Sequence, residues 1–128
     1  MSGDPARPLI IVDAANVVGS VPDGWWKDRA GANVRLRDAI TTLGETGLPD
    51  LPGPVDVVMV VEGAARSVEG APGVEVVAAA GSGDDAIVAV VAEHPNRRRV
   101  VVTADRGLRE RVRELGADVV GPTAIRRR

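Results

Sequence analysis

Asp13, Glu62, Asp84, Asp85 and Asp105 are the residues of this chain best suited to chemistry. Each closes or follows a run that reads as a strand. Asp13 ends Leu9-Ile10-Ile11-Val12, Glu62 follows Val55 to Val61, Asp84 and Asp85 come after Val74 to Ala78, and Asp105 comes after Val100-Val101-Val102. Asn16, three residues past Asp13, can turn its amide toward the same place. In an open parallel sheet, sites form outside the carboxyl ends of the strands, so these acids are expected at one edge. There they would repel one another unless neutralised, and oxygen ligands alone suit a hard cation such as Mg²⁺ or Mn²⁺. The chain has no cysteine and one histidine, His94. That excludes a disulfide scaffold, Cys-ligated zinc or iron–sulfur centres and multi-His metal sites, and it argues against a Ser-His-Asp triad. Carboxylates, hydroxyls, amides and arginines must carry whatever chemistry there is.

The same residues have local uses. Ser82-x-x-Asp85 is a capping box, and Asp84 and Asp85 would both favour a helix N-terminus through its dipole. Asp105 can cap the next helix, Asp13 and Asn16 can satisfy loop amides, and Glu62 can be an exposed turn residue. Capping alone would not bring every acid to one sheet edge, and for Asp85 capping and metal binding are compatible.

The elements that must position these side chains alternate between strand and helix. The 128 residues are 45% apolar and 27% charged, which suits one globular domain spanning 1–128. The apolar share is mostly 23 Val and 18 Ala, and continuous β-branched runs suit parallel strands buried on both faces. Asp118-Val119-Val120, closed by Gly121-Pro122, makes a short fifth strand. Asp28 is expected to cap a helix with Leu36, Ile40 and Leu43 on one face, ending near Gly44 to Gly47 before a Pro-rich linker (Pro49, Pro52, Pro54). A second helix runs from Ser82-Gly83-Asp84-Asp85 to about Glu93 and should be largely buried. A third covers Arg106 to Leu115 and stops at Gly116. Residues 63–72 carry at most a short helix. The expected architecture is a single three-layer α/β domain with right-handed crossovers, with 122–128 as a loose basic tail. Met1 to Pro8 is too polar for a signal peptide, and no 18-residue apolar run could span a membrane, so a soluble, cytoplasmic protein is expected.

Taken in order, Asp13-x-x-Asn16, a strand-end acid before Gly63, Gly81-Ser82-Gly83-Asp84-Asp85 and Thr103-Ala104-Asp105-Arg106 resemble the PIN-like nucleases, and within them the NYN branch of YacP-like proteins. The resemblance covers about residues 9–121. It implies a mostly parallel sheet of order 3-2-1-4-5 and a Mg²⁺- or Mn²⁺-dependent ribonuclease centre leaving 5′-phosphate and 3′-hydroxyl ends. Its metal-binding and catalytic set would be Asp13, Asp84, Asp85 and Asp105, with Glu62 a further ligand. Ala14-Ala15 departs from the Gly/aromatic pair often found before the Asn. Such carboxylates hold one or two cations, roughly 3.5–4 Å apart if two, in phosphoryl chemistry. Asn16, Ser82, Thr103 and Arg106 would position water or substrate. Trp25 and Trp26 could stack on bases, or pack over the helix begun at Asp28.

The charge supports a polyanionic partner only in part. The total is −2, with 16 basic and 18 acidic residues. Residues 97–128 hold 10 of the basic and 4 of the acidic side chains, whereas 1–96 hold 6 and 14, an asymmetry that hints at a polyanionic partner, which the resemblance would make RNA. The same basic C-terminal part could instead meet a second copy of the chain in a homodimer. Arg97-Arg98-Arg99 precede a strand and so fall at the edge opposite the acids. Two other readings use the same residues. One is a phosphohydrolase of small nucleotides; the other is a non-catalytic metal-binding or regulatory α/β module, against which stand the Asp84-Asp85 pair and the absence of a lysine after the last strand.

Overall fold

A computed structural model describes residues 7–126 of the chain. Five parallel strands form the central sheet: β1 (Leu9–Asp13), β4 (Asp56–Val61), β5 (Glu75–Ala78), β6 (Arg99–Val102) and β7 (Asp118–Val120). Their spatial order is β5-β4-β1-β6-β7, the 3-2-1-4-5 arrangement expected from the resemblance. β1 lies in the middle, with Val12 opposite both Met59 and Val102. Strand alternation sends Ile10, Val12, Val57, Met59, Val61, Val100 and Val102 into one core, and Leu9, Ile11, Val58, Val60 and Val101 into the other. Period-two projection therefore explains why an unbroken β-branched run is needed: both faces are covered.

The first core is closed by α1 (Ala14–Gly19), α2 (Arg29–Ala39), α3 (Leu43–Thr46) and α6 (Thr123–Arg126). The second is closed by α4 (Gly83–Ala92) and α5 (Arg106–Glu114). Three cap residues expected from the sequence are in place: Asp28 accepts the Gly31 amide at 2.9 Å, Ser82 the Asp85 amide at 3.4 Å, and Asp105 the Leu108 amide at 2.9 Å. Gly116 ends α5 with φ +89°, a left-handed conformation costly for other residues.

Several elements differ from expectation. The stretch after Asp13 is helix α1 rather than loop, capped by Asp13 itself. The Asp28-capped helix stops at Ala39, with Ile40 closing it, and α3 starts separately at Leu43. The β-branched run Ile40-Thr41-Thr42 disfavours continuous helix there. Where a linker was expected, β2 (Gly47–Leu48) and β3 (Leu51–Pro52) form a small hairpin that buries Leu48 and Leu51. α4 buries only part of its surface: Ile87, Val90 and Val91 are inside while Ala89 and Ala92 are exposed. Residues 63–72 contain a single 3₁₀ turn at Gly63–Ala65. The expected loose tail returns to the domain instead, because Pro122 and Ile125 are buried and α6 covers the first core. Arg127 and Arg128 lie outside the described residues.

Candidate functional site

Parallel strands put all five carboxyl ends on one edge, and that edge gathers the acids. Asp13, last in β1, is 6% exposed. Its Oδ2 accepts the Thr103 hydroxyl at 2.8 Å and its Oδ1 accepts the Asn16 amide at 3.4 Å. Burial pushes the Asp13 carboxyl above the ordinary carboxylate range, against the pull of these two bonds, and the charges of Asp84 and Glu62 push the same way. Asp84, in the first turn of α4, is raised first by desolvation and then by Asp105 and Glu62, with Arg111 opposing and Asp85 adding to the rise. Asp13, Glu62, Asp84 and Asp105 thus form one mutually repelling group, with Asp84 the member that feels most of the others.

The supporting bonds fix three of the four acids. Glu62 follows β4 and its Oε2 accepts the Gly83 amide at the start of α4. A Cβ at position 83 would lie 2.7 Å from Glu62 Oε2, so a larger residue there would push the carboxylate out of this position. Glu62 is therefore tied to α4 and is no free turn residue. Thr103, 0% exposed, donates to Asp13 and accepts the Asp105 amide at 3.1 Å. Its hydroxyl thereby aligns Asp13 with Asp105. Asn16 Oδ1 accepts the Ala104 amide at 2.8 Å, joining α1 to the loop after β6. Arg109 Nε donates to the Thr103 carbonyl at 2.8 Å and braces that loop.

The remaining predicted residues are placed differently. Asp85 is 74% exposed in its side chain and pairs with Arg111 Nη2 at 3.0 Å. Ser82 is exposed and caps α4. Arg106 is exposed beside Asp105, with no partner among the described residues. Trp25 is half-buried against the first core, and Trp26, 55% exposed, meets it edge to face with ring centroids 6.0 Å apart. Arg97 and Arg99 are buried at the opposite edge.

The donor chemistry fits a hard divalent cation, since every candidate ligand is a carboxylate oxygen and two of the carboxyls are destabilised as anions. Among the described residues, however, no three acidic or histidine side chains already form a metal-binding cage. A cation would have to draw the side chains inward.

Without a cation, the raised carboxyls have a consequence for stability. In the window between the ordinary carboxylate value and the raised native values, the native protein binds more protons than the unfolded chain. Stability therefore falls as pH rises through that window. Asp84→Asn is expected to raise the Tm of the metal-free protein near pH 7, and the gain should shrink as pH falls and vanish only well below the ordinary carboxylate value. Thermal unfolding in EDTA across that range checks this; a gain that persists unchanged in acid would assign it to another cause.

No protein-family model matches the chain, and no curated protein sequence matches it. Among solved structures, it superposes on Rae1 (YacP) from Bacillus subtilis with a TM-score of 0.70, covering 93% of this chain and 72% of that one at 17% identity. The chain has the fold of Rae1. The resemblance to the YacP-like branch, read from ordered acids, is thus met at the level of architecture. None of the described helices is long and apolar enough to cross a membrane.

Proposed function

We propose that this chain is a Mg²⁺- or Mn²⁺-dependent ribonuclease that hydrolyses phosphodiester bonds at Asp13, Glu62, Asp84 and Asp105. The observation that carries the reading is the group of four carboxyls, two of them raised by burial and mutual repulsion, at the carboxyl edge of a Rae1-like sheet. Stable proteins rarely keep such repulsion without a use for it. A bound cation would supply Lewis acidity and an activated water at phosphorus.

The chain's own residues do the positioning. Thr103 holds Asp13 Oδ2 through its only hydroxyl proton, and the Asn16 amide holds Oδ1 more loosely, at 3.4 Å. Glu62, tied to Gly83, fixes the entry of α4 and hence the position of Asp84. Asp105 keeps one oxygen on the Leu108 amide and has the other free for a ligand. Asn16 anchors the loop between them. Arg106, exposed at the start of α5, offers a cation to a substrate phosphate, and the exposed Ser82 hydroxyl lies at the same rim. Trp25 and Trp26 offer aromatic faces to bases. Asp85 stands at the rim, held by Arg111, and would reach inward only on leaving that pair.

The test is direct. End-labelled single-stranded RNA and, separately, nucleoside triphosphates are incubated with the pure protein in Mn²⁺, in Mg²⁺ and in EDTA. Metal-dependent RNA products with 5′-phosphate and 3′-hydroxyl ends are the expected result. Phosphate release from nucleotides with RNA left intact would transfer the site to a nucleotide phosphohydrolase. Cation binding with neither activity would leave a non-catalytic module.

A further inference from the structure

A groove of about 410 Å³ runs beside the acidic group, between α1, α2 and the turn after β4. It is lined by Val18, Trp25, Arg29, Asn33, Glu62 and Gly81, among others. Glu62 is shared with the acidic group, so the two spaces adjoin. Three features of the lining are unlike an ordinary surface crease. The Arg29 guanidinium lies over the Trp25 ring, 5.4 Å from its centroid, so both groups are held in place by cation–π attraction. Asn33 is 5% exposed, and its Nδ2 donates to the Arg29 carbonyl at 2.8 Å. Its Oδ1 is buried with no hydrogen-bond partner among the described residues. A buried acceptor left unmet is uncommon and unfavourable, and an N–H brought by an occupant would satisfy it.

An aromatic wall, an N–H acceptor and a cation together match one class of ligand. A nucleotide offers a π-face, N–H groups on its base edge and a phosphate. A free anion would have no use for Trp25, and an apolar ligand none for Arg29 or the Asn33 carbonyl. We propose that this groove holds the base of the nucleotide next to the scissile phosphate, with Trp25 against the base, Asn33 Oδ1 accepting an edge N–H, and Arg29 toward the flanking phosphate. The word scissile rests on the ribonuclease reading above; the binding of a nucleotide does not. Asn33 is then a specificity-determining residue, because bases differ in where they carry N–H donors.

The experiment titrates the ¹⁵N-labelled full chain in Mg²⁺ with AMP, CMP, GMP and UMP, and with ribose 5-phosphate as the base-free comparison. The Trp25 indole N–H and the Asn33 side-chain amide are followed, assigned with Trp25→Leu and Asn33→Leu. Nucleoside monophosphates should shift both resonances saturably, and ribose 5-phosphate should move neither. Each substitution should weaken nucleotide binding by about tenfold. Asn33→Leu, which removes the unmet acceptor, should leave the Tm unchanged or higher. Absent shifts, equal shifts with ribose 5-phosphate, or unchanged affinity in Trp25→Leu would overturn the proposal. RNA cleavage without nucleotide shifts would sink the groove and spare the nuclease; shifts without RNA cleavage would do the reverse.

Discussion

Asp84→Asn is expected to reduce RNA cleavage by at least about a thousandfold, a barrier increase of roughly 4 kcal/mol. Asp13→Asn should do the same. Both changes preserve shape while removing an anion from the group that a cation must bridge. In metal-free protein Asp84→Asn should also be the more stable form, since repulsion from Asp105, Glu62 and Asp85 and the desolvation of its charge are relieved. Wild-type protein should gain about 2.7 kcal/mol of stability when Mn²⁺ stands at a hundredfold excess over its dissociation constant; Asp84→Asn should gain far less. Asp85→Asn is the internal contrast. Its carboxylate faces Arg111 in solvent, so its loss should lower cleavage by less than about tenfold, an exposed ion pair contributing little. Single-turnover cleavage of one labelled RNA, with Tm measured with and without Mn²⁺, checks all three variants. Equal losses at positions 84 and 85 would show that Asp85 leaves Arg111 and enters the site; full activity in Asp84→Asn would remove the carboxylate group from the mechanism.

The second large effect is on stability. Arg99→Met should destabilise the protein by about 3 kcal/mol, lowering Tm by roughly 10 °C. Arg99 is 5% exposed and has no carboxylate partner among the described residues; its charge is met by main-chain carbonyls. Nη1 donates to Val91 O at 2.6 Å and Nη2 to Leu115 O at 2.7 Å, while Nε donates to Arg97 O at 3.1 Å. The first carbonyl is in the last turn of α4 and the second belongs to Leu115, the residue that closes α5, where the helix dipole favours a cation. Methionine fills the volume but withdraws three charge-assisted donors at once, leaving the Val91 carbonyl to the His94 amide at 3.3 Å. Arg98→Met is the control. Arg98 meets Asp118 at 3.7 Å and the Asp50 carbonyl at 3.4 Å, both in solvent, and should change stability by less than about 0.5 kcal/mol. Urea unfolding of the two variants beside wild type decides it; comparable losses would mean that the carbonyls find water when Arg99 is removed.

The strands could be read from the sequence because both faces of the sheet are covered, which forces unbroken runs such as Leu9 to Val12 and Val100 to Val102. Caps could be read because Asp28, Ser82 and Asp105 are short acceptors standing just before apolar periodicity. α1 could not: it is six residues long, and its cap is also the end of a strand. The choice between Asp84 and Asp85 was also out of reach, since which of two neighbours turns inward depends on where Glu62 pins α4. Arg97-Arg98-Arg99 could be placed at the edge opposite the acids, but not divided into buried Arg97 and Arg99 and exposed Arg98, a split that follows from alternation along the chain. Asn33 left a trace that went unread. It occupies the face shared by Leu36 and Ile40, three and seven residues on, and a polar residue on an apolar helix face marks something to be explained.

The bonds at the acidic edge also bear on when that edge comes into existence. Asp13 meets Thr103 across 90 residues of chain, and Asn16 meets Ala104 across 88. β1, first in sequence, is central in the sheet and pairs with β4 and β6, both of which follow much later. Such high contact order slows folding, because loop closure precedes any reward from pairing. The site is accordingly a late product of folding: no N-terminal fragment that stops before residue 105 can assemble it. A chain still emerging from synthesis would carry all of Asp13, Glu62 and Asp84 and yet hold them apart.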